Sequence, residues 1–175
     1  MSNVVIDAIK ERRAIRAFKP EQITDEELIT VLDAGTYAPS GRGMQSAQMV
    51  VVQNPGTMNQ IIRMNQDVLG NYERNPYYGA PTVILVFAPK DRTTYIEDGS
   101  CLLDTLMYAA HSIGLGSCWI HREKEMFETE EGKTLMKEWG LSDEMVGIGS
   151  LAIGYIDGEV PAAKPRREGY YKIIK

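Results

Sequence analysis

Along this chain apolar residues recur at helical spacing in some stretches and run together in others, so helices and strands are mixed. Ser2 or Asn3 can cap a first helix with Val5, Ile6 and Ile9 on one face. Residues 12–18 precede Pro20 and read as extended. Side chains alternate there, so Arg12, Ala14 and Arg16 share one side while Arg13, Ile15 and Ala17 take the other. Thr24 with Glu27 forms a capping box, Ile23 can staple onto Leu28, and this second helix runs to about Tyr37, ahead of Pro39. A loop of small residues follows, from Ala38 to Gln45. Met49–Val52 reads as a buried strand closed by Asn54-Pro55-Gly56.

Residues 57–69 predict a helix with Met58, Ile61, Ile62 and Leu69 apolar, and the chain is irregular from Gly70 to Pro81. Thr82–Phe87, apolar or β-branched throughout, is the clearest central strand. Asp98 opens a long, well-buried helix carrying Leu102, Leu103, Leu106, Ala109, Ala110 and Ile113, and Gly114 ends it in a left-handed position. Ser117–Ile120 predicts a short strand, 124–139 a helix closing at Gly140, and Val146–Ile156 a glycine-interrupted strand. No linker or repeat divides the chain. Residues 1–175 therefore read as one domain of two or three layers. The tail from about 161 to 175 is basic, then apolar at Tyr170, Tyr171, Ile173 and Ile174, an end that calls for cover, as by a second subunit.

Composition narrows the classes. The net charge of −5 argues against a nucleic-acid or anionic-membrane partner. No stretch approaches the roughly 18 apolar residues of a membrane span, and the first residues turn charged too soon for a secretory signal. Cys101 and Cys118 lack CxxC spacing and the histidines stand apart from any acidic or cysteine cluster, which argues against a protein-ligated metal; a reduced, cytoplasmic protein is the expectation. Within this acidic chain two cationic knots stand out: Arg12, Arg13 and Arg16, and Lys164, Arg166 and Arg167. They are too small for a nucleic-acid surface. Either they are solvated helix-end residues, or they suit one multiply charged anion such as a nucleotide phosphate.

Gly147-Ile148-Gly149-Ser150-Leu151-Ala152 matches the dinucleotide fingerprint but lies in an apolar run with no helix after it; its glycines read as sites of close packing. Gly116 and Ser117 are small enough for a flat ligand to approach the backbone. Cys118 reads as a buried thiol, His111 as structural, and the acids from Glu128 to Glu131 as a solvated helix start. No hydrolase, metalloprotease or nucleotide-triphosphate motif is present, so an enzyme here would borrow its reactive group from a cofactor.

Four segments, in order, resemble the FMN-dependent nitroreductase family: Arg12-Arg13-x-Ile15-Arg16-x-Phe18; Ala38-Pro39-Ser40 with Gln45; Gly114–Ile120; and Gly154-Tyr155 leading to Lys164-x-Arg166. Together they span nearly the whole chain. The resemblance implies an α+β fold, an α/β sandwich with a central, mainly antiparallel sheet flanked by helices. It further implies an intertwined homodimer with FMN at the interface. Arg12, Lys164 and Arg166 would bind the phosphate, with Arg13 and Ala14 contributing backbone. Arg16 would face the flavin pyrimidine edge. Pro39, Ser40 and Gly41 would cover the ring from the other subunit with Gln45 close by, and the turn at Ile120 and His121 would offer N–H groups to the N5 side. NADH or NADPH would reduce FMN in a ping-pong cycle, with a small nitro compound, quinone or activated alkene as acceptor and no side chain assigned as catalytic acid or base. The chain departs from the family at Ala14, Gly43, Ser46-Ala47 and Asp104-Thr105, which bears on the acceptor. The rival readings are a non-catalytic FMN carrier or sensor, a flavin-fragmenting, dehalogenating or peptide-oxidising enzyme of the same fold, and a structural domain.

Overall fold

The computed structural model describes residues 2–175; Met1 lies outside them. β1 (Gln48–Val52), β2 (Thr82–Pro89), β3 (Gly116–Ile120) and β4 (Met145–Gly154) form a four-stranded sheet in the order β1-β2-β4-β3, with every pair antiparallel. The helices are α1 (Val4–Glu11), α2 (Asp25–Thr36), α3 (Pro55–Leu69), α4 (Tyr95–Ser112), α5 (Glu123–Glu128) and α6 (Glu130–Glu138). Alternation along the strands sends Ile84, Val86, Leu151 and Ile153 to one face, against Val31 of α2 and Leu102, Leu103 and Leu106 of α4. Val83, Leu85, Phe87 and Ala152 take the other face with Ile61 and Met64 of α3, Met126 and Phe127 of α5, and Leu135 of α6. The result is the expected three-layer α+β sandwich. Each large side chain buried in it is worth about 1.5–3 kcal/mol.

Local chemistry sets the element ends. Thr24 and Glu27 make the expected capping box, and Gly114 (φ 84°) ends the turn after α4. Three boundaries differ from expectation. Asn54-Pro55-Gly56 closes β1 as expected, but the next helix starts two residues early: Asn54 caps α3 and Pro55 occupies its first turn, where a missing N–H costs nothing. α4 begins at Tyr95, ahead of Asp98, whose carboxylate is turned away to the loop at Gly41. The stretch 124–139 is two helices, because extended Thr129 spends its hydroxyl capping α6 through the Gly132 amide.

The glycines of β4 serve close packing. A β-bulge between Val86 and Phe87 leaves Ile148 unpaired. A Cβ on Gly147 would lie 2.7 Å from Glu123 Cγ, and Gly149 stands directly beneath the Trp119 indole. Gly116 corrects the sequence reading: Ile156 and Ile15 fill the space beside it, so its smallness admits core side chains and not a ligand.

The chain leaves apolar surface uncovered. Val4, Val5 and Ile9 of α1 are more than half exposed, and so are Tyr170, Tyr171, Ile173 and Ile174 of the tail. The Asp157 amide donates to the Ala17 carbonyl, and every residue after it is exposed. Among the described residues, no helix is long and apolar enough to cross a membrane.

Candidate functional site

Arg12 closes α1, and the segment after it runs beside β3. Ala14 bridges Ser117, and the Ile15 amide donates to the Ser117 carbonyl at 2.9 Å. Phe18 then bridges Ile156 beyond the end of β4. This pins the backbone while Arg16 stays exposed and Arg12 and Arg13 are half-buried. Arg12 lies 5.8 Å from the Tyr108 ring of α4, and its Nε and Nη1 are buried without an acceptor; Arg13 Nε is in the same condition. Arg13 Nη1 donates to the Lys10 and Arg12 carbonyls. Burial raises the Cys118 thiol pKa, and Arg16 and Arg12 both oppose that rise. Buried guanidinium N–H groups with no partner are costly. An anion would supply the missing acceptors.

The small-residue loop is held as firmly. The Gly41 amide donates to Asp98 Oδ1 at 2.8 Å, and Thr94 Oγ1 donates to Asp98 Oδ2 at 3.2 Å. Ser40 Oγ accepts the Gln45 amide at 2.9 Å, and Arg42, Gly43 and Gln45 all take positive φ. Pro39, Ser40 and Gln45 line a recess of about 220 Å³ with Asp98 and Leu102. Within one subunit this loop is not beside the arginines. Asp98 and Tyr108 are ten residues apart on α4, so about 15 Å of helix separates the two groups.

After β3 the chain turns through Ile120, buried, and His121, exposed, into Arg122, a non-glycine residue at φ 84°. Asn65, fully buried on α3, clamps the turn: its Nδ2 donates to the His121 carbonyl at 3.2 Å and its Oδ1 accepts from Arg122 Nε at 2.9 Å. Glu123 follows, 1% exposed, with neither carboxylate oxygen hydrogen-bonded and the buried Ser150 hydroxyl likewise unpaired beside it. Burial pushes its pKa well above the usual carboxylate range; the Ser150 hydroxyl and the Val86 backbone lie near enough to oppose this, but neither reaches hydrogen-bonding geometry. Burial and the nearby Glu123 also push the Tyr77 hydroxyl up.

Lys164 and Arg166 sit on the exposed tail, where Arg166 Nε and Nη2 donate to the Lys164 carbonyl. The structure thus groups Arg12, Arg13, Ala14 and Arg16 near β3, groups Pro39, Ser40, Gly41 and Gln45 at the far end of α4, and carries Lys164 and Arg166 on the exposed tail.

Sequence reasoning missed Asn65, Asp98 and Glu123. Asn65 carried a signal, since it falls on the apolar face of α3 between Ile61 and Leu69. Asp98 carried a similar one, lying four residues before Leu102 on the buried face of α4. Arg74 and Tyr78 carried none; Tyr78, at φ 57°, has Arg16 and Arg74 5.9 and 5.3 Å from its ring.

Comparison with known proteins agrees with this geometry. The sequence profile described as the Nitroreductase family matches residues 9–155. A protein of Archaeoglobus fulgidus named a putative NADH dehydrogenase/NAD(P)H nitroreductase is 25% identical over 153 residues, covering 84% of this chain and 82% of that one. A crystal structure of a nitroreductase with bound FMN from Bacteroides fragilis superposes with a TM-score of 0.92 at 27% identity, over 99% of this chain and 100% of that one. Oxidized iodotyrosine deiodinase bound to FMN and 3-iodo-L-tyrosine superposes at 0.76 with 25% identity, over 97% and 98% of the two chains.

Proposed function

This chain belongs to the nitroreductase family, and we propose that it is an FMN-dependent oxidoreductase, taking electrons from NADH or NADPH and passing them to nitro compounds, quinones or activated alkenes in a ping-pong cycle. The observation that carries the reading is the set of buried, unpartnered N–H groups on Arg12 and Arg13 beside the pinned backbone at Ala14. A flavin phosphate is the anion that fits a cradle of guanidinium and backbone donors. The donor set suits FMN.

In this reading Arg12 holds the phosphate, with Lys164 and Arg166 joining it from the tail and Arg13 and Ala14 adding backbone. Bound FMN supplies two-electron redox chemistry between nicotinamide and acceptor. Arg16 places a fixed positive charge at the pyrimidine edge, where negative charge develops. The Asn65-clamped turn at Ile120–His121 presents backbone N–H groups toward N5 without having to reorganise. Pro39, Ser40 and Gly41, with Gln45, cover the ring and exclude water. The roughly 15 Å between this loop and the arginines of one subunit is why two copies are required, each supplying the loop for the other's flavin. The exposed apolar surface of α1 and the tail is then the surface that joins them.

The test is the absorption spectrum of purified protein. Yellow protein that bleaches with NADH or NADPH and recovers colour with a nitroaromatic acceptor is expected; colourless protein that takes up no added FMN overturns the reading. Similarity to iodotyrosine deiodinase supports one second reading, reductive dehalogenation at the same flavin. Iodide release from 3-iodotyrosine, set against nitro reduction, separates the two.

A further inference from the structure

A second recess, of about 280 Å³, opens where β2 hands over to α4; it is lined by Gly41, Arg42, Asp91, Arg92, Thr93 and Thr94. Two arginines face one carboxylate in it, and none of the three forms an ion pair among the described residues. Arg92 Nε is buried with no acceptor. Asp98, which touches two of the lining residues, is committed to the Gly41 amide and the Thr94 hydroxyl. The recess is also preformed, because Gly41 is tied to Asp98 and a Cβ on Gly41 would collide with Thr94.

We propose that this recess binds the 2′-phosphate of the nicotinamide dinucleotide, making NADPH the preferred electron donor. The assignment rests on the flavoprotein reading. The recess shares the Ser40–Arg42 loop with the residues that cover the flavin, so a nicotinamide stacked on that flavin brings its nucleotide end past Arg42 and Arg92. Of the donor's phosphates, only the 2′-phosphate is a monoester, approaching two negative charges at pH 7, whereas each pyrophosphate unit carries one. Two guanidinium forks, each able to bind phosphate in bidentate fashion, match the monoester. With Asp91 at the same recess the lining keeps a net positive charge, which attracts a dianion about twice as strongly as a monoanion.

The test uses FMN-loaded protein, titrated with 2′,5′-ADP and with 5′-AMP and assayed with NADPH and NADH. Tighter binding of 2′,5′-ADP, by about tenfold or more, and a matching NADPH preference in kcat/KM are expected. Both should vanish in R42Q/R92Q while NADH turnover and the flavin spectrum stay unchanged; R42Q alone, at an exposed position, should lose part of each. Equal binding of the two probes overturns the assignment, as does an NADPH preference that survives the double substitution. An equal loss of NADH and NADPH turnover also overturns it, since the recess would then be reading the shared pyrophosphate. Failure to take up FMN sinks the flavoprotein reading, whereas yellow protein indifferent to the 2′-phosphate sinks this proposal alone.

Discussion

Replacing Glu123 with glutamine should stabilise the protein, and more so as pH rises. Glu123 is 1% exposed, has no hydrogen-bonded oxygen, and has its pKa pushed well above the carboxylate range mainly by burial. Its folded pKa lies above its unfolded value, so its contribution is fully present below the unfolded pKa, about 4.5 for an unperturbed carboxyl. That contribution is lost as pH rises toward the folded pKa, because the unfolded chain releases a proton that the native state keeps. Each pH unit crossed between the two values removes about 1.36 kcal/mol. Glutamine has the same shape and no proton to lose. From about pH 4.5 upward the gap between variant and parent should widen by up to about 1.36 kcal/mol for each pH unit, or about 3–5 °C in Tm per unit for a chain of this size. Urea or thermal unfolding of both proteins across that range, at one protein concentration, measures it; titrations common to both cancel in the difference. A gap that does not change with pH would refute the reasoning, since Glu123 would then ionise alike in the native and unfolded chains.

Three further outcomes follow from the same structure. Arg12→Ala together with Arg166→Ala should release FMN, weakening Kd roughly ten- to a hundredfold for each guanidinium removed, with circular dichroism unchanged; retained flavin contradicts the phosphate role. Deleting residues 165–175 should weaken self-association, and an unchanged particle mass in light scattering counts against the tail as an intersubunit arm. Gly147→Ala should cost about 1–3 kcal/mol, because the new methyl meets both Cγ and the backbone oxygen of Glu123; full stability in denaturant would show that α5 can move away.

The sequence made the layers readable where local and tertiary demands agree. Thr24 with Glu27 announces a helix start, and the unbroken apolar run of β2 can only be a central strand. It misled where a residue serves a distant neighbour. Asp98 resembles a helix cap but restrains Gly41, and Gly116 resembles a ligand platform but makes room for Ile15 and Ile156. The arginine pattern from 12 to 18 was legible because extended backbone fixes which side chains share a side. The recess at Arg42 and Arg92 was not, since those residues stand fifty positions apart in sequence and only the clamp from Asp98 brings them together.

Because α4 carries Tyr108, stacked by Arg12, at one end and Asp98, which tethers the Gly41 loop, at the other, each copy in the proposed dimer donates half of two different flavin pockets. Genetic complementation should reveal this arithmetic. When a chain crippled at Arg12 is mixed with one crippled at Asp98, the hybrid contains one pocket with both lesions and one with neither. Two inactive parents would then yield offspring with a single working centre.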